Sequence, residues 1–393
     1  MTAKSDFLKV DKPITDKLGS MSWGWGTLRA VMESIYLAKK LSLKYMRYPY
    51  DISRKQIDYN TYSATWQKGL DEIISAGIIP IIPFHASDND QRPSGAETDD
   101  QVSYYHDAIT KVITNNANRG IVWESWNEAN GSFWSKTPGD KEPLQQIVDI
   151  SNFIRDTVHK LDVDSPFIGP SLDGKHLNYV NGIYSEKQGS MAPFLQAYKD
   201  GGAFNNIDGV SIHPYPSIRT QGGNPEYFIT ELSNWKDYVG AAPLVPTEFG
   251  YSIAVTSPKY SWQTTFGLHE AKVKTIREIL IMDMLGSPVI IPYSLGGNNY
   301  TLGNGTILSS LGEAIGSFMD RLRGYTFKEN LSVIDHGSNS PIDNLYALRY
   351  TKDGSPDLVV YWSVFPNVAG TIATAPNTIK KVYFQDMPQI IAI

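Results

Sequence analysis

The sequence predicts an α/β protein: a (β/α)8 TIM barrel followed by a small C-terminal antiparallel β module. Three observations indicate this fold. Eight short runs of β-branched and aromatic residues alternate with longer helical patterns, polar side chains collect where those runs end, and the helical patterns stop after Gly324. An open doubly wound sheet would show the same alternation, but eight consecutive units with polar strand exits favour the barrel.

The strand candidates are apolar runs bounded by glycine, proline or polar clusters. They are Ser20–Trp25, Lys44–Asp51, Ile78–His85, Ile121–Glu128, Phe167–Leu172, Gly209–Tyr215, Leu244–Tyr251 and Val289–Leu295.

Between the strands, apolar residues recur at three- and four-residue steps, as the buried stripe of an outer helix requires. Gly77 and Gly286 stand where a C-terminal glycine would end two of these helices. The predicted helices are Leu28–Leu41, Thr65–Ala76, Val102–Asn115, Leu144–Leu161, Pro193–Lys199, Tyr227–Val239, Leu268–Leu285 and Leu311–Leu322.

After Gly324, strand patterns follow one another without helices, separated by turn clusters such as Asp353-Gly354-Ser355-Pro356. We therefore expect residues 1–324 to form the barrel and residues 325–393 a β-strand module packed on it. The predicted strands there are Leu331–Ile334, Asn344–Tyr350, Leu358–Val364, Gly370–Thr374 and Lys380–Phe384.

The composition excludes several classes of function. The net charge is −6 with no basic block, so the electrostatic footprint of a nucleic-acid-binding protein is missing. The chain has no cysteine, which excludes disulfides and thiolate catalysis. No stretch reaches about 18 apolar residues, so no membrane span is expected. Met1–Asp11 holds no apolar run typical of a signal peptide, and the localisation is left open between the cytoplasm and the cell exterior.

Two glutamates stand at predicted strand exits. Glu128 ends the fourth strand and Glu248 ends the seventh, each after an apolar run. A buried strand gains nothing from a carboxylate, so this placement indicates chemistry rather than packing. Cleavage of a glycosidic bond with retention needs two carboxyl groups about 5 to 5.5 Å apart, and strands 4 and 7 face one another across a barrel mouth.

The motifs around these glutamates resemble those of clan A glycoside hydrolases, particularly families 5 and 39. They are Trp126-Asn127-Glu128-Ala129-Asn130, His213-Pro214-Tyr215 and Thr247-Glu248-Phe249-Gly250, in the clan's order and on strands 4, 6 and 7. The resemblance covers about residues 19 to 323.

The resemblance implies a role for each matched residue. Glu128 would be the general acid/base and Glu248 the nucleophile, while Asn127 would bind the 2-hydroxyl of the sugar in the −1 subsite. His213 and Tyr215 would lie near the two carboxylates, with the tyrosine hydroxyl stabilising the Glu248 anion. A core histidine bonded to a backbone carbonyl is the alternative for His213.

Two further residues match the clan. Arg47 matches its arginine on strand 2 and would hold Glu248 as the anion. A structural ion pair with Glu124, which shares strand parity with Glu128, is the alternative, and one guanidinium could serve both carboxylates. His85 matches the clan's histidine on strand 3.

Strand 8 departs from the clan pattern. In many members this strand ends with a tryptophan that forms the floor of the −1 subsite, whereas this chain has Tyr293 there. Tyr293, or Trp23 and Trp25 from strand 1, would supply the platform. Trp134, in a later loop, is a further candidate for substrate binding. As a group, the aromatic residues near strand exits predict a lined cleft, although core packing is the commoner role for each. They are Trp23, Trp25, Trp126, Trp134, Phe84, Phe249, Tyr251 and Tyr300.

No cofactor or metal motif is found. Gly169–Lys175 has the spacing of a phosphate-binding loop, but His176 stands where serine or threonine is required. His269-Glu270 opens like a zinc motif, but Val273 replaces its second histidine.

The sequence thus predicts a retaining glycoside hydrolase that cleaves β-glycosidic bonds by double displacement, without a cofactor or metal. Its partner would be a carbohydrate polymer or oligosaccharide. Endo-action on a polysaccharide is the expected mode, since long polar loops follow the strands. The alternatives are an exo-acting β-glycosidase, a non-catalytic carbohydrate-binding protein on a hydrolase-like barrel, and a barrel enzyme acting on phosphorylated metabolites.

Overall fold

The structure is a computed structural model of the 393-residue chain. It describes residues 3–22, 27–52, 59–86, 99–129, 143–173, 179–180, 183–184, 192–215, 223–253, 265–296, 300–335, 344–365, 368–375 and 378–393.

Eight of the nine described helices follow the predicted amphipathic segments, although the third begins six residues before its predicted start and the first was not predicted. Thr27 and Ser309 begin two of them by accepting a bond from a backbone N–H of the first turn. Gly77 and Gly286 have positive φ (75° and 83°), as the predicted terminating glycines require. The helices are α1 Ala3–Phe7, α2 Leu28–Lys40, α3 Tyr59–Ser75, α4 Asp99–Asn116, α5 Pro143–Leu161, α6 Ala192–Asp200, α7 Tyr227–Val239, α8 Leu268–Met284 and α9 Ser310–Arg321, with a 3-10 turn at Ile14–Asp16.

Most described strands of the first part of the chain pair in parallel, which confirms the α/β class. The strands are β1 Gly19–Met21, β2 Tyr45–Arg47, β3 Tyr50–Asp51, β4 Ile79–His85, β5 Val122–Trp126, β6 Phe167–Ile168, β7 Leu172–Asp173, β8 Tyr179–Val180, β9 Ile183–Tyr184, β10 Val210–His213, β11 Leu244–Pro246, β12 Ser252–Ile253, β13 Thr265–Phe266, β14 Gly303–Asn304 and β15 Ile307–Leu308. Among them, β8 with β9 and β14 with β15 form antiparallel pairs.

The larger parallel sheets of the described strands are two separate sheets rather than one closed sheet, and β12 and β13 form a further two-stranded parallel sheet. A six-stranded sheet has the order β1-β2-β4-β5-β6, with β3 also paired to β4, and a three-stranded sheet has the order β11-β10-β7. Isolated parallel bridges connect their edges, at Ile168 with Gly209, Phe249 with Pro292 and Leu18 with Ile290.

Three of the expected strands are interrupted at proline, which offers no N–H to a ladder. The predicted strand Lys44–Asp51 is split into β2 and β3, with Pro49 in the gap. The predicted strand Phe167–Leu172 is split into β6 and β7, with Pro170 in the gap. The predicted strand Val289–Leu295 contains Pro292 and contributes isolated bridges instead of a named strand. The apolar pattern located these segments correctly, but their ladders depend on backbone donors that proline removes.

The inner face of the parallel strands carries an apolar layer below a charged one. Tyr45 is followed two residues later by Arg47, and Val122 by Glu124, because alternate residues of a strand share a face. Phe7 of α1, a helix that the sequence did not predict, is 2% exposed and packs into the apolar layer. That layer consists of Phe7, Tyr45, Ile81, Val122, Ile168, Val245, Val289 and Ile291.

After Gly324 the described residues form antiparallel sheets. One has the order β16-β18-β19-β22 and the other the order β17-β20-β21. Two of their strands, β16 and β22, were not predicted. The strands are β16 Thr326–Asn330, β17 Val333–Asp335, β18 Leu345–Thr351, β19 Leu358–Ser363, β20 Val368–Ala375, β21 Thr378–Phe384 and β22 Gln389–Ala392. The division into domains at residue 324 stays a prediction.

Helix α8 is covered from almost every side, being buried from Val273 to Asp283. Its polar residues are therefore paired within the protein. Asp283 binds Lys17 Nζ (2.6 Å) and accepts a bond from Tyr350 Oη (3.0 Å), so one carboxylate joins the chain before β1 to the C-terminal strands. Nearer its start, Arg277 pairs with Glu226, which also accepts a bond from Trp362 Nε1 at 2.9 Å.

No helix within the described ranges is long and apolar enough to cross a membrane.

The buried Lys17–Asp283 pair is expected to be sensitive to loss of one partner. Lys17→Met leaves an uncompensated buried carboxylate and should lower the free energy of unfolding by about 3 to 5 kcal/mol. Adding Asp283→Asn, which keeps an acceptor for Tyr350, should recover much of that loss. Urea unfolding measures both, with Lys9→Met in the exposed Lys9–Asp6 pair as the control, expected within about 1 kcal/mol of wild type. A double variant no more stable than Lys17→Met would contradict the charge argument.

Candidate active site

The predicted site residues meet at the carboxyl ends of the parallel strands. Arg47 ends β2, Asn127 and Glu128 follow β5, His213 ends β10 and Glu248 follows β11. A cavity of about 50 Å³ opens between them. Its lining residues are Met21, Arg47, Pro49, His85, Asn127, Glu128, Glu248 and Tyr293.

Arg47 lies at the centre of this constellation and is fully buried. Its guanidinium donates to both oxygens of Glu124 (2.7 and 3.2 Å), to Glu248 Oε2 (3.0 Å) and to Asn127 Oδ1 (2.5 Å). Burial opposes the charge, but Glu124 and Glu248 outweigh it and raise the pKa of Arg47 above its ordinary value. Both interpretations of Arg47 therefore fit the geometry, since one side chain contacts both carboxylates.

Glu124 is a structural anion, with its side chain 0% exposed. Burial alone would raise its pKa, but the charge and hydrogen bonds of Arg47, with weaker contributions from His213 and Ser211, lower the pKa below the ordinary value. Its Oε1 atom also accepts bonds from three hydroxyl groups on neighbouring strands and their exits. These belong to Ser171 (3.0 Å), Thr247 (2.8 Å) and Ser211.

Glu248 is held as an anion that remains open to the cavity. Arg47 Nη1 donates to its Oε2, and Tyr215 Oη donates to its Oε1 at 2.5 Å. Burial and then the charge of Glu248 raise the pKa of Tyr215 well above its ordinary value, so the phenol stays a donor. The side chain of Glu248 is 13% exposed, in contrast to the sealed Glu124.

Glu128 has a different environment, because its Oε1 lies 2.8 Å from His213 Nδ1. Its backbone has a φ of 46°, a left-handed conformation that non-glycine residues adopt at a cost and that is frequent at functional sites. The side chain is 9% exposed. Glu128 therefore reaches the cavity from a turn just beyond β5, opposite Glu248.

His213 links Glu128 to the buried network. Ser171 gives its one hydroxyl proton to Glu124, so its oxygen accepts from His213 Nε2 at 3.2 Å. The other ring nitrogen, Nδ1, faces Glu128. On a neutral ring it accepts a hydrogen bond from a protonated Glu128 carboxyl, and on a doubly protonated ring it donates one to the Glu128 carboxylate. In either state one proton lies between Nδ1 and Glu128. The alternative of a histidine bonded to a backbone carbonyl does not fit these contacts.

Arg47 also orients Asn127. Because the guanidinium offers only donors, it binds the amide oxygen and leaves the amide nitrogen of Asn127 as the group that can donate into the cavity. An N–H donor beside two carboxylates is what recognition of a sugar hydroxyl requires.

Of the remaining predicted residues, two line the cavity and three lie outside the described residues. Tyr293 and His85 line the cavity, and His85 Nε2 lies 3.8 Å from Asp51 Oδ2. Burial, followed by the charges of Glu248 and Glu128, raises the pKa of Tyr293 well above its ordinary value. Trp25 and Trp134 lie outside the described residues, as does Trp23.

The expectation of an aromatic-lined cleft is wrong for four of its proposed members. Phe84, Trp126 and Phe249 are 0% exposed and Tyr251 is 1% exposed. Their strand positions point them into the packing between sheet and helices, where Trp126 meets Tyr105 edge-on. Nearness to a strand exit does not decide on which face of the strand a side chain lies. Alternate residues of a strand share a face, and these four rings lie on the face that packs into the core.

Ligand atoms of Glu128, His213 and Glu248 all lie within 4.8 Å of one another. In the described part of the chain this is the group whose donors could also hold a metal ion. Two carboxylates at that separation can equally act as a proton donor and a nucleophile.

The hydroxyl groups of Ser171, Ser211 and Thr247 were not among the predicted site residues, and Glu124 was predicted only as an alternative partner of Arg47. A signal was present, since these residues are polar at positions within or next to apolar strands. That pattern indicates a buried polar network, because an isolated buried hydroxyl or carboxylate is costly.

Glu124→Gln should lower the free energy of unfolding at pH 7 by about 3 to 5 kcal/mol, because it removes the charge that compensates Arg47. The folded-state pKa of Glu124 lies below 4.5, so its stabilisation is present above pH 4.5 and is lost as the pH falls through the folded value. The loss of stability on acidification should therefore be shallower in the variant. Urea unfolding between pH 7 and 3 measures this, with the exposed Glu329→Gln as the control. Equal acid slopes in wild type and Glu124→Gln would contradict the assignment.

Comparison with known proteins gives a match in structure alone. No family profile and no curated protein matches the sequence. A glucosidase from Croceicoccus marinus aligns over 97% of this chain and 83% of its own, with a TM-score of 0.61 and 12% identity. The endo-β1,6-glucanase BT3312 aligns over 95% of this chain and 89% of its own, with a TM-score of 0.60 and 14% identity.

A broad-specificity endoglucanase of subfamily GH5-4 from Clostridium longisporum aligns over 82% of this chain and 98% of its own, with a TM-score of 0.53 and 14% identity. At such identities the similarity establishes the fold. The predicted resemblance is confirmed at that level: the chain has the fold of clan A glycoside hydrolases.

Proposed function

We propose that this protein is a retaining glycoside hydrolase acting on β-linked carbohydrate, with Glu128 as acid/base and Glu248 as nucleophile. The observation that carries the proposal is the pairing of two partly exposed carboxylates, with ligand oxygens no more than 4.8 Å apart, in opposite hydrogen-bonding environments. Retaining glycosidases hold their carboxyl groups about 5 to 5.5 Å apart, whereas inverting ones leave about 6.5 to 9.5 Å for a water molecule.

The environments suit the two roles. Glu248 receives donors only, from Arg47 and Tyr215, so its anion is stabilised and can attack the anomeric carbon. Glu128 faces a histidine nitrogen with a proton between them. It can release a proton to the departing oxygen and take one back later.

The reaction follows in two steps. As the bond from the anomeric carbon to the leaving oxygen breaks, Glu128 protonates that oxygen and a Glu248 oxygen bonds to the carbon. Glu128, now ionised, takes a proton from water, and the hydroxide oxygen displaces Glu248 with a second inversion. Asn127 would donate to the sugar hydroxyl next to the reacting carbon, and Tyr293 would flank the ring.

The fold supports the same proposal. The order of the parallel strands and the bridges between the two sheets fit a (β/α)8 barrel, with residues 325–393 as an attached β module. Two of the similar solved structures are named as an endo-β1,6-glucanase and an endoglucanase. These names favour endo-action on a β-linked glucan as the first substrate class to test.

Replacement of each glutamate should give a distinct result. Glu128→Ala should slow hydrolysis of a β-glucan by about 10² to 10⁴, yet spare the first step with aryl glycosides whose leaving group needs no proton. Glu248→Ala should abolish hydrolysis of both. Added azide should yield a β-glycosyl azide with Glu128→Ala and an α-glycosyl azide with Glu248→Ala, identified by NMR.

The exposed Glu313→Ala is the matched control and should behave as wild type. Wild-type turnover that both substitutions leave unchanged would contradict the roles. Binding of β-glucans by a wild type that hydrolyses none of them would instead favour a carbohydrate-binding protein. NMR of the first product formed by the wild type tests retention, and an α-configured first product would exclude it.

A further inference from the structure

We infer that Tyr300 is a positioning residue for the reaction proposed above: its ring holds Tyr215 and Tyr293 in place around Glu248. This inference rests on the proposed role of Glu248 as the nucleophile. Tyr300 follows the eighth strand segment, outside every motif that the resemblance covers.

Tyr300 packs edge-on against both tyrosines. Its ring centroid lies 6.0 Å from that of Tyr215 at 72° and 5.7 Å from that of Tyr293 at 79°. Edge-to-face contacts of this kind are the preferred arrangement of aromatic pairs. Tyr300 is 8% exposed and Tyr215 7% exposed, while Tyr293 is partly exposed, so two buried rings adjoin one that reaches the cavity.

The backbone around Tyr300 is fixed by short-range bonds. Thr301 Oγ1 accepts from the N–H groups of Gly296 (3.2 Å) and Gly303 (3.1 Å), and Leu302 N donates to Ser294 O at 2.8 Å. The ring is therefore attached to a constrained loop, and it can transmit that constraint to its two neighbours.

Gly250 makes room for this arrangement. A Cβ atom there would lie 3.1 Å from Tyr300 Cδ1, a distance at which one of the two groups must shift. Gly250 is two residues beyond Glu248 in the chain. The strand exit that carries the nucleophile thus contacts the ring that supports its hydrogen-bond donor.

The consequence falls on Glu248. Tyr215 Oη donates to Glu248 Oε1, while Tyr293 lines the same cavity. Without the ring of Tyr300, both tyrosines lose a packing partner, and Tyr215 gains freedom to leave its carboxylate acceptor. The Glu248 anion would then lose the hydrogen bond that Tyr215 donates to its Oε1.

The test compares Tyr300→Leu with Tyr300→Phe, which keeps the ring. Crystal structures should show the Tyr215–Glu248 bond broken or lengthened in Tyr300→Leu and intact in Tyr300→Phe. With the substrate identified above, Tyr300→Leu should lower kcat about tenfold, the scale of one hydrogen bond to a charged group, with a smaller change in KM. The acid limb of kcat/KM should move to higher pH, while Tyr300→Phe stays within about twofold of wild type.

Tyr383→Leu is the matched control, since that tyrosine is 72% exposed and far along the chain in β21. Gly250→Ala should shift the ring of Tyr300 by a few tenths of an ångström without removing it, so it should lengthen the Tyr215–Glu248 bond less than Tyr300→Leu does, and it serves as the second variant if Tyr300→Leu fails to fold. An unchanged Tyr215–Glu248 bond in the displaced-ring variants would overturn the inference even if the wild type hydrolyses glycosides. A wild type inactive on every glycoside would instead contradict the proposed function and leave the structural readout decisive for Tyr300.

Discussion

The buried guanidinium of Arg47 is the interaction on which the candidate site depends. A fixed positive charge in a sealed position requires anions around it, and Glu124 within β5 and Glu248 at the exit of β11 supply them. The same group binds the amide oxygen of Asn127. One side chain therefore ties β2, β5 and β11 together and sets the orientation of two residues that face the cavity.

Three glutamates with the same chemistry acquire three roles from their surroundings. Glu124 is fully enclosed and receives donors from Arg47 and three hydroxyl groups, which makes it a permanent structural anion. Glu248 shares Arg47 but reaches the cavity. Glu128 lies against His213, with its Oε1 2.8 Å from Nδ1. Accessibility and partner charge, not residue type, separate the structural carboxylate from the two that can react.

Buried charges on the outer side of the fold are also compensated by partners within the protein. Helix α8 is covered by the C-terminal strands, so its polar side chains are neutralised internally, by Lys17 for Asp283 and by Glu226 for Arg277. Within the same helix, Glu278 accepts a bond from Tyr251 at 2.7 Å. Because Tyr251 follows Glu248 by three residues, the exit of β11 is connected both to the cavity and to the helix behind it. The C-terminal strands thus contribute to the packing that supports one wall of the site.

The sequence by itself determined the elements that depend on local periodicity and chain order. Alternating strand and helix patterns located the helices and most strands, and the glutamates at two strand exits identified the candidate site. These features follow from residue spacing, since the 3.6- and two-residue repeats and the meeting of strand ends at one edge need no tertiary coordinates.

Only the tertiary structure decided which polar groups are partners and which aromatic rings are buried. The convergence of Ser171, Ser211 and Thr247 on Glu124, and of Tyr215 on Tyr300, joins residues far apart in the chain. The same holds for the placement of α1 against the inner apolar layer through Phe7. Such contacts depend on distances between elements, and a spacing along one strand contains no information about the side chain that a distant strand brings next to it.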